Sequence, residues 1–298
     1  MTDAPEPLDP AVLRQTNAIA EPLGDLPIVG DAEERAVLVT ATPDGVVTVR
    51  LNRPHKKNAL NRDLIAALRE EFETLHGQDH VRAVFLRGVG NAFCSGADLD
   101  WMREAADYSD SDNRADAYEL ARMLKALNDV PALTVALVQG PAMGGGAGLV
   151  AACDVAVSTA DARFAFSEVK LGLTPATISP YVVRALGPRT AKFLFATGQM
   201  FGAEDARRWG LINQVVENED ALEAVRDGVA GVMAACAPGA VGDAKRLVDD
   251  VYARELDDRL MHDTARRIAE RRASAEGREG VAAFLGRRTP SWAEPVTE

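Results

Sequence analysis

The segment PAMGGGAGLVAACD, residues 141–154, contains three consecutive glycines, Gly144–Gly146, between a predicted strand and an apolar, helix-like segment. Glycines at such a junction let the backbone approach a ligand closely and point N–H groups outward at the start of a helix. Two nucleotide-binding motifs fail here: GxGxxG would need a glycine where the chain has Leu149, and the Gly-Lys-Ser/Thr ending of a Walker A motif is absent. The run therefore indicates either a tight helix–strand packing turn or a turn that binds a ligand through its backbone.

Before the glycine run, strands alternate with helices. The apolar segments Val37–Val39 and Val46–Leu51 flank a Pro-Asp-Gly turn, which predicts a hairpin, and Asn61 can cap a helix that runs to about His76. The other predicted elements up to the run are a strand at Val84–Leu86, a polar, helix-prone stretch from about Asp98 to Asp129, and a strand at Leu133–Val138.

After the glycine run, two more strand-like segments occur at Val155–Val157 and Phe164–Phe166. From Thr177 onward nearly everything has helical character, apart from a short predicted strand at Gln214–Val216. This order predicts an α/β fold in which a core of layered sheets is followed by a helical appendage.

The composition limits the classes of function. The 298 residues carry 33 Lys and Arg against 45 Asp and Glu, a formal net charge of −12, which argues against a nucleic-acid-binding surface because such a surface needs a basic footprint. No apolar run reaches the roughly 18 residues that a membrane span needs. Three widely spaced cysteines and four dispersed histidines predict neither a disulfide framework nor a metal site. The proline-rich, acidic first residues lack a targeting signal, so we expect a cytoplasmic protein with a flexible arm over residues 1–33.

A second glycine-containing turn lies at Phe93–Leu99, with the sequence FCSGADL. A strand that enters a helix through such a turn also offers backbone N–H donors, and Asp98 is well placed for the first helical turn. Two donor sites aimed at one carbonyl oxygen make an oxyanion hole, which stabilises the negative charge that develops on a thioester as it enolises. Together the two turns indicate acyl-thioester chemistry more strongly than either does alone.

Glu168 is the candidate acid/base residue. It follows the apolar segment Phe164–Phe166, where a carboxyl group would be partly desolvated, and desolvation raises its pKa toward the range useful for proton transfer. The alternative is an ordinary surface glutamate at the end of a strand.

In order and spacing these motifs resemble the crotonase (enoyl-CoA hydratase/isomerase) family. The resemblance is carried by Asn52-Arg53-Pro54, Phe93–Asp98, Gly144–Gly146 with Cys153-Asp154, Phe166-Ser167-Glu168, Gly210-Leu211-Ile212 and Ala283-Phe284-Leu285. It implies a ββα spiral core at residues 34–230 and a C-terminal helical trimerisation domain at 231–298, assembled as a homotrimer or a dimer of trimers. It also implies that the backbone N–H groups of Ala97 and Gly145 bind the thioester oxygen while Glu168 transfers protons.

The chain departs from this family at Gly148. The best-known hydratases of the family carry a second glutamate at the corresponding position, where two carboxylates orient the attacking water. Either Glu168 performs both proton transfers, or another polar group such as Asp100, Tyr108 or Asn113 substitutes. A single glutamate also resembles Δ3,Δ2-enoyl-CoA isomerases, which need only one base.

The residues from Ser167 to Pro180 resemble a branch of hydratases acting on branched, carboxylated esters such as methylglutaconyl-CoA or carboxygeranoyl-CoA. We therefore expect an enoyl-CoA hydratase, with an isomerase as the alternative and a non-catalytic acyl-CoA-binding protein as a further one. The small side chains at Ala147 and Gly148 suggest that a bulky acyl group takes the vacant space.

Coenzyme A enters as part of the substrate, and no permanently bound cofactor is expected. The basic loop that contains Arg53, His55, Lys56 and Lys57 suits its phosphates, with Lys56 and Lys57 as the candidate ligands. Phe284 and Arg287 resemble the tail segment that reaches the nucleotide of the same or a neighbouring subunit. Trp101 and Gly148 are the candidates for the acyl pocket. The expected partners are acyl-CoA and further copies of the chain, with no nucleic acid and no membrane.

Overall fold

In the computed structural model, which describes residues 35–293, nine strands form two sheets and ten α-helices surround them. The strands are β1 (Val37–Ala41), β2 (Val46–Leu51), β3 (Ala83–Gly88), β4 (Leu133–Val138), β5 (Pro141–Met143), β6 (Val155–Thr159), β7 (Arg163–Ala165), β8 (Met200–Gly202) and β9 (Gln214–Val216). The helices are α1 (Arg62–Leu75), α2 (Leu99–Ala105), α3 (Asp110–Asn128), α4 (Gly145–Ala152), α5 (Ser179–Thr197), α6 (Ala203–Trp209), α7 (Glu219–Ala234), α8 (Pro238–Val251), α9 (Asp258–Ala273) and α10 (Ala275–Leu285). Short 3-10 helices lie at Pro54–Lys56, Glu168–Leu171 and Ser291–Ala293.

The larger sheet has the order β1-β2-β3-β4-β6-β9 and is parallel except for the β1–β2 hairpin. The smaller sheet has the order β5-β7-β8, with β8 antiparallel to β7. Strand β5 follows β4 closely and leads directly into α4. The glycine run therefore leaves the smaller sheet as the chain enters a helix.

Both faces of the larger sheet are buried, as a mostly parallel sheet requires. On β3 the side chains alternate: Val84 and Leu86 belong to the main core with Leu68 of α1, whereas Phe85 belongs to a second cluster with Leu222 of α7. Asn61 caps α1 by accepting a hydrogen bond from the amide of Leu64. Helices α1 and α7 thus hold the sheet from opposite sides and fix the strand ends at which the loops of the site begin.

The structure confirms the predicted α/β core of layered sheets with helices at the C-terminal end. The β1–β2 hairpin, helix α1 and the strands β4 and β9 lie where the sequence predicts them, whereas the polar stretch from Asp98 to Asp129 divides into α2 and α3. Strand β8 was missed: three residues between helices carry little periodicity, and this strand forms only by pairing with β7.

One of the two predicted domain boundaries lies within a helix, and the other lies outside the described residues. The division between residues 230 and 231 lies inside α7, whose Leu222 and Met233 are both buried against the larger sheet. The division into a core and an oligomerisation domain stays a prediction. The arm at residues 1–33 lies outside the described residues.

Candidate active site

The first donor turn is held by the loop before α1. Leu60 forms a parallel bridge with Ala97: its amide donates to the Gly96 carbonyl at 2.7 Å, and its carbonyl accepts from the Asp98 amide at 2.8 Å. In such a bridge, the residue between the two hydrogen-bonded neighbours directs its own N–H to the opposite side. The N–H of Ala97 therefore points away from Leu60, and Ala97 is exposed.

The second donor turn is the glycine run at the start of α4. Gly144 has φ 50° and ψ −117°, a conformation that favours glycine, and its amide donates to the Ala165 carbonyl at 2.8 Å. The first intrahelical bond runs from the Gly148 amide to the Gly144 carbonyl at 3.0 Å. The amide of Gly145 precedes that bond, so it has no acceptor within its own helix.

A backbone bridge between Cys94 and Ala142 brings the two turns together. The Cys94 amide donates to the Pro141 carbonyl at 3.1 Å, and the Met143 amide donates to the Cys94 carbonyl at 2.9 Å. Ala97 and Gly145 each lie three residues beyond that bridged pair, on neighbouring segments. Leu60 lies against both, because its backbone pairs with Ala97 and its Cδ1 would lie 2.7 Å from a Cβ at Gly145.

Close approach of the two turns requires glycine at position 146. A Cβ built there would lie 2.5 Å from the carbonyl oxygen of Cys94 and 2.7 Å from its Cβ, distances that folded proteins do not tolerate. Gly146 thus permits tight packing of the two turns, which is one of the alternatives that the sequence suggested. Binding of a ligand by the Gly145 N–H stays a prediction.

Glu168 lies next to the glycine turn, at the start of the short helix Glu168–Leu171. A Cβ built on Gly144 would lie 3.1 Å from Oε1 of Glu168, so the carboxyl group reaches the turn itself. Its Oε2 is buried and has no hydrogen-bond partner among the described residues. Burial raises the pKa of the Glu168 carboxyl, with a smaller opposing effect from a backbone hydrogen bond.

The aromatic ring two residues before Glu168 packs against α5. Phe166, fully buried, packs edge-on against Phe195 with ring centroids 5.3 Å apart. The carbonyl of Glu168 accepts from the amide of Leu173 at 3.0 Å, which closes the turn after the carboxyl group. A carboxyl group that is desolvated, has one oxygen without a hydrogen-bond partner and lies beside a donor turn suits proton transfer.

The volume beside Gly148 is not vacant, contrary to the expectation that a bulky acyl group takes it. A Cβ at Gly148 would lie 2.2 Å from Cγ2 and 2.8 Å from Cβ of Ile178, which is 1% exposed. The volume that a side chain at position 148 would need is therefore filled by a branched apolar side chain of this same chain, and Gly148 itself is buried. Aliphatic packing therefore occupies the place of the second carboxylate, and a position for Gly148 at the edge of the acyl pocket stays a prediction.

The three polar residues that could substitute for a second carboxylate have different surroundings. Asp100 is exposed and pairs with Lys56 at 2.8 Å, and the amide group of exposed Asn113 donates to the Tyr108 carbonyl at 3.2 Å. The hydroxyl of Tyr108 is buried without a partner among residues 35–293, and the guanidinium of Arg62 lies 4.6 Å from its ring centroid. The geometry joins none of the three to Glu168.

Trp101 lies on α2, four residues after the donor at Ala97. Its indole N–H donates to Asp116 at 3.2 Å, and its ring packs partly buried against the main core. This contact ties α2 to α3. A place for Trp101 in the acyl pocket stays a prediction.

The residues predicted to bind coenzyme A fall into two groups. Lys56 and Lys57 adjoin the first donor turn, because the Lys57 carbonyl accepts from the Ser95 amide at 3.0 Å. Phe284 is 82% exposed near the end of α10, and Arg287 follows that helix. Helix α10 packs on α9 and α8, so within one chain the structure does not bring the second group to the donor turns. Coenzyme A binding by either group stays a prediction.

Arg53 differs from the other members of the basic loop. Its guanidinium points inward, donating to Asp98 at 2.8 Å and to the Ala59 carbonyl at 2.5 Å, so it is not available to a phosphate. Its side chain is 15% exposed and that of Asp98 is 4% exposed. The sequence shows Arg53 only as a member of the basic loop, because no local pattern indicates that Asp98, 45 residues away, would meet it.

A cavity of about 600 Å³ lies at the opposite end of α4 from the donor at Gly145. It is lined by Val150, Cys153, Tyr181, Leu211 and Val248 among others. Its two charged residues, Asp154 and Lys245, form a salt bridge at 2.7 Å.

No cluster of His, Cys, Asp or Glu within residues 35–293 could hold a metal ion. No helix in the same part of the chain is long and apolar enough to cross a membrane.

Comparison with known proteins identifies the family. The profile described as enoyl-CoA hydratase/isomerase matches residues 41–295. Enoyl-CoA hydratase ACTT6 from Alternaria alternata is 36% identical over 252 residues, covering 83% of this chain and 81% of that protein. The 1,2-epoxyphenylacetyl-CoA isomerase of Escherichia coli K12 is 32% identical over 255 residues, covering 83% and 95%.

Solved structures give the same result. The crystal structure of an enoyl-CoA hydratase from Shewanella pealeana superimposes with a TM-score of 0.83 at 35% identity, covering 86% of this chain and 96% of that one. The likeness spans almost the whole described chain, including the C-terminal helices.

Proposed function

The chain belongs to the enoyl-CoA hydratase/isomerase family, and from this premise we propose that it adds water to the double bond of a 2-enoyl-CoA thioester. The observation that carries the proposal is the contact between Glu168 and the glycine turn. A carboxyl group with a raised pKa and an unpartnered oxygen adjoins the segment that presents the Gly145 amide.

In the proposed reaction, the thioester oxygen accepts hydrogen bonds from the N–H groups of Ala97 and Gly145. These donors stabilise the enolate that forms when a water oxygen bonds to C3 of the acyl group. Glu168 takes a proton from that water and then delivers one to C2, so that both new bonds form on the side of the acyl group that faces the carboxyl. One residue thus performs both transfers, and the addition is syn.

Isomerisation of a 3-enoyl-CoA to its 2-enoyl isomer is the second candidate, and the packing at Gly148 favours it. With Ile178 where a second carboxylate would stand, Glu168 has no companion to orient water. Moving a proton from C2 to C4 needs only one base and the same two oxyanion donors. A relative named 1,2-epoxyphenylacetyl-CoA isomerase shows that an isomerase of a CoA ester occurs among the similar proteins.

The acyl group is proposed to be branched or carboxylated, as in methylglutaconyl-CoA. This part rests on the resemblance at Ser167–Pro180, since the argument from small side chains at Ala147 and Gly148 is lost. Comparing kcat/KM for straight, branched and carboxylated 2-enoyl esters tests it. A preference for the straight ester would contradict the proposal of a branched or carboxylated acyl group. It would not affect the proposed reaction type.

One experiment separates hydratase from isomerase. Purified protein is incubated with a 2-enoyl-CoA and, separately, with the matching 3-enoyl-CoA, and the products are resolved by mass and by ultraviolet absorbance. Hydration adds the mass of one water and removes the conjugated absorbance of the 2-enoyl ester. Isomerisation of the 3-enoyl ester keeps its mass and creates that absorbance. Turnover of neither ester would overturn both candidates and leave an acyl-CoA-binding role.

A further inference from the structure

The ion pair between Arg53 and Asp98 stands directly behind the donor at Ala97. Asp98 is the next residue in the chain, and it caps α2 by accepting from the Asp100 amide at 2.9 Å. Its other oxygen accepts from Arg53 at 2.8 Å. Both side chains are largely buried, with 15% and 4% of their surfaces exposed.

Arg53 also holds the loop with which the donor turn pairs. Its second nitrogen donates to the Ala59 carbonyl, one residue before Leu60, and Leu60 brackets Ala97 through two backbone bonds. The backbone amide of Arg53 donates to the side-chain oxygen of Asn58 at 2.9 Å. The side-chain amide of Asn58 donates in turn to the Ala92 carbonyl at 2.8 Å. One guanidinium therefore joins both sides of the bridge that aims the Ala97 N–H.

The sign of the charges matters as much as the geometry. Burial alone would raise the pKa of the Asp98 carboxyl, but the Asp100 amide and the hydrogen bond and charge of Arg53 lower it overall. Asp98 is therefore an anion one residue from a donor that must stabilise a developing negative charge. An unneutralised anion at that place would oppose the charge on the thioester oxygen.

We propose that Arg53 is a positioning residue for the oxyanion hole, which aims the Ala97 N–H through its two-pronged contact and neutralises Asp98 beside it. This inference rests on the donor role of Ala97 in the proposed function. It predicts an asymmetry between the two partners. Removing Arg53 leaves a buried anion beside the oxyanion, whereas removing the charge of Asp98 leaves a cation there.

The variants follow from this asymmetry. Arg53→Met removes the contact, Asp98→Asn keeps an N-cap for α2 without the charge, and the double variant removes both charges. Arg53→Lys keeps the charge but loses the planar fork, and it serves if Arg53→Met does not fold. Arg87→Met is the matched control: its side chain is also 15% exposed and pairs with two carboxylates, Glu219 and Glu223, on the side of the larger sheet that faces α7.

The first readout is the absorbance of a bound 2,4-dienoyl-CoA at saturating protein. Hydrogen bonds to its thioester oxygen polarise the conjugated system and shift the absorbance to longer wavelength, whether or not turnover follows. We expect a clear shift in the unsubstituted protein and in Arg87→Met, and a reduced shift in Arg53→Met or Arg53→Lys. The second readout is turnover: a displaced donor should lower kcat by about 100-fold in Arg53→Met, with KM changed far less.

The decisive comparison uses the asymmetry. Asp98→Asn should lower kcat by less than about tenfold, and adding it to Arg53→Met should restore part of the lost kcat and of the lost shift, because the opposing anion is gone. Equal losses in both single variants with an unchanged absorbance shift, or an unaffected folded Arg53→Met, would overturn the inference. An absent shift in the unsubstituted protein would instead contradict the donor role of Ala97 in the proposed function.

Discussion

At the scale of single residues, Glu168 combines two properties that rarely occur together in a structural glutamate. One carboxyl oxygen is buried without a hydrogen-bond partner, and the other reaches a glycine turn. A structural role would pair the buried oxygen, because an unsatisfied polar atom in the interior costs about 1–3 kcal/mol of folding free energy. A buried carboxyl oxygen without a partner is expected where the carboxyl group must remain free to exchange a proton with a substrate.

The first prediction concerns stability against pH. The raised pKa means that folded protein holds the Glu168 proton at pH values where the unfolded chain, with a pKa near 4.5, has lost it. The free energy of unfolding therefore falls as pH rises from about 4.5 through the folded pKa. Glu168→Gln has no carboxyl group there and lacks this loss. In urea unfolding, the difference in free energy of unfolding between the variant and the unsubstituted protein should therefore be constant below pH 4.5 and should shift in favour of the variant above it. A difference that is constant with pH would contradict the raised pKa.

The second prediction isolates the Gly145 donor. Gly145 is the first residue of α4, where proline fits a helix well, so Gly145→Pro removes the N–H at little cost to the helix. Gly145→Ala is the control, because it adds the same Cβ against Leu60 and keeps the N–H. We expect the kcat of the Gly145→Pro variant to be about 100- to 1,000-fold lower than that of the Gly145→Ala variant. Equal kcat values in two folded variants would show that the thioester oxygen binds elsewhere.

At the level of helices and strands, the packing of α4 against the start of α5 leaves no room for a second carboxylate at position 148. Gly148 and Ile178 meet so closely that neither can enlarge without displacing the other. Glu168, Ala97 and Gly145 each belong to a local segment with a recognisable sequence, and the family resemblance of these segments implied the donor roles of Ala97 and Gly145. Ile178 could not be predicted, since its contact joins segments 30 residues apart and leaves no local pattern.

The same reasoning explains the other differences between sequence and structure. Strand β8 exists through its pairing with β7, and the inward direction of Arg53 depends on Asp98 across the fold. Strands and helices with strong periodicity, such as β4 and α1, were placed well. The sequence does not show which residues far apart in the chain will meet. The features of the site that it did not predict are contacts of this kind.

The third prediction tests the α4–α5 contact. Gly148→Glu forces a carboxylate against Ile178, which should destabilise the fold by several kcal/mol through overpacking and burial of an unpaired charge, if the variant folds at all. Ile178→Ala in the same chain should recover part of that loss in urea unfolding. Gly231→Glu on α7 is the control, because a Cβ there meets nothing within 4 Å. Comparable stability of Gly148→Glu and Gly231→Glu would refute the contact.

At the scale of the whole molecule, the helices at the C-terminal end expose apolar side chains that a lone chain leaves in water. On α10, Val281, Phe284 and Leu285 are 55%, 82% and 75% exposed, and on α9, Met261 and Ile268 are 52% and 51% exposed. Large apolar side chains exposed on two packed helices are typical of a surface that associates with another chain. We therefore propose further copies of the chain as the partner, in a trimer or a pair of trimers.

The fourth prediction is the mass in solution. Light scattering after size exclusion should give three or six times the chain mass of 31.8 kDa. Phe284→Asp should shift that mass downward, whereas Arg208→Asp, a 70% exposed side chain on α6, should leave it unchanged. A monomer at micromolar concentration in the unsubstituted protein would refute the assembly.

The turnover of Glu168→Gln shows whether one carboxyl group beside two backbone donors carries the reaction. With a saturating 2-enoyl-CoA, or a 3-enoyl-CoA if that proves to be the substrate, we expect kcat to fall by about two to four orders of magnitude. Binding of a 2,4-dienoyl-CoA and its absorbance shift should persist, because the donors at Ala97 and Gly145 are intact. A folded Glu168→Gln variant with near-normal kcat would contradict the account.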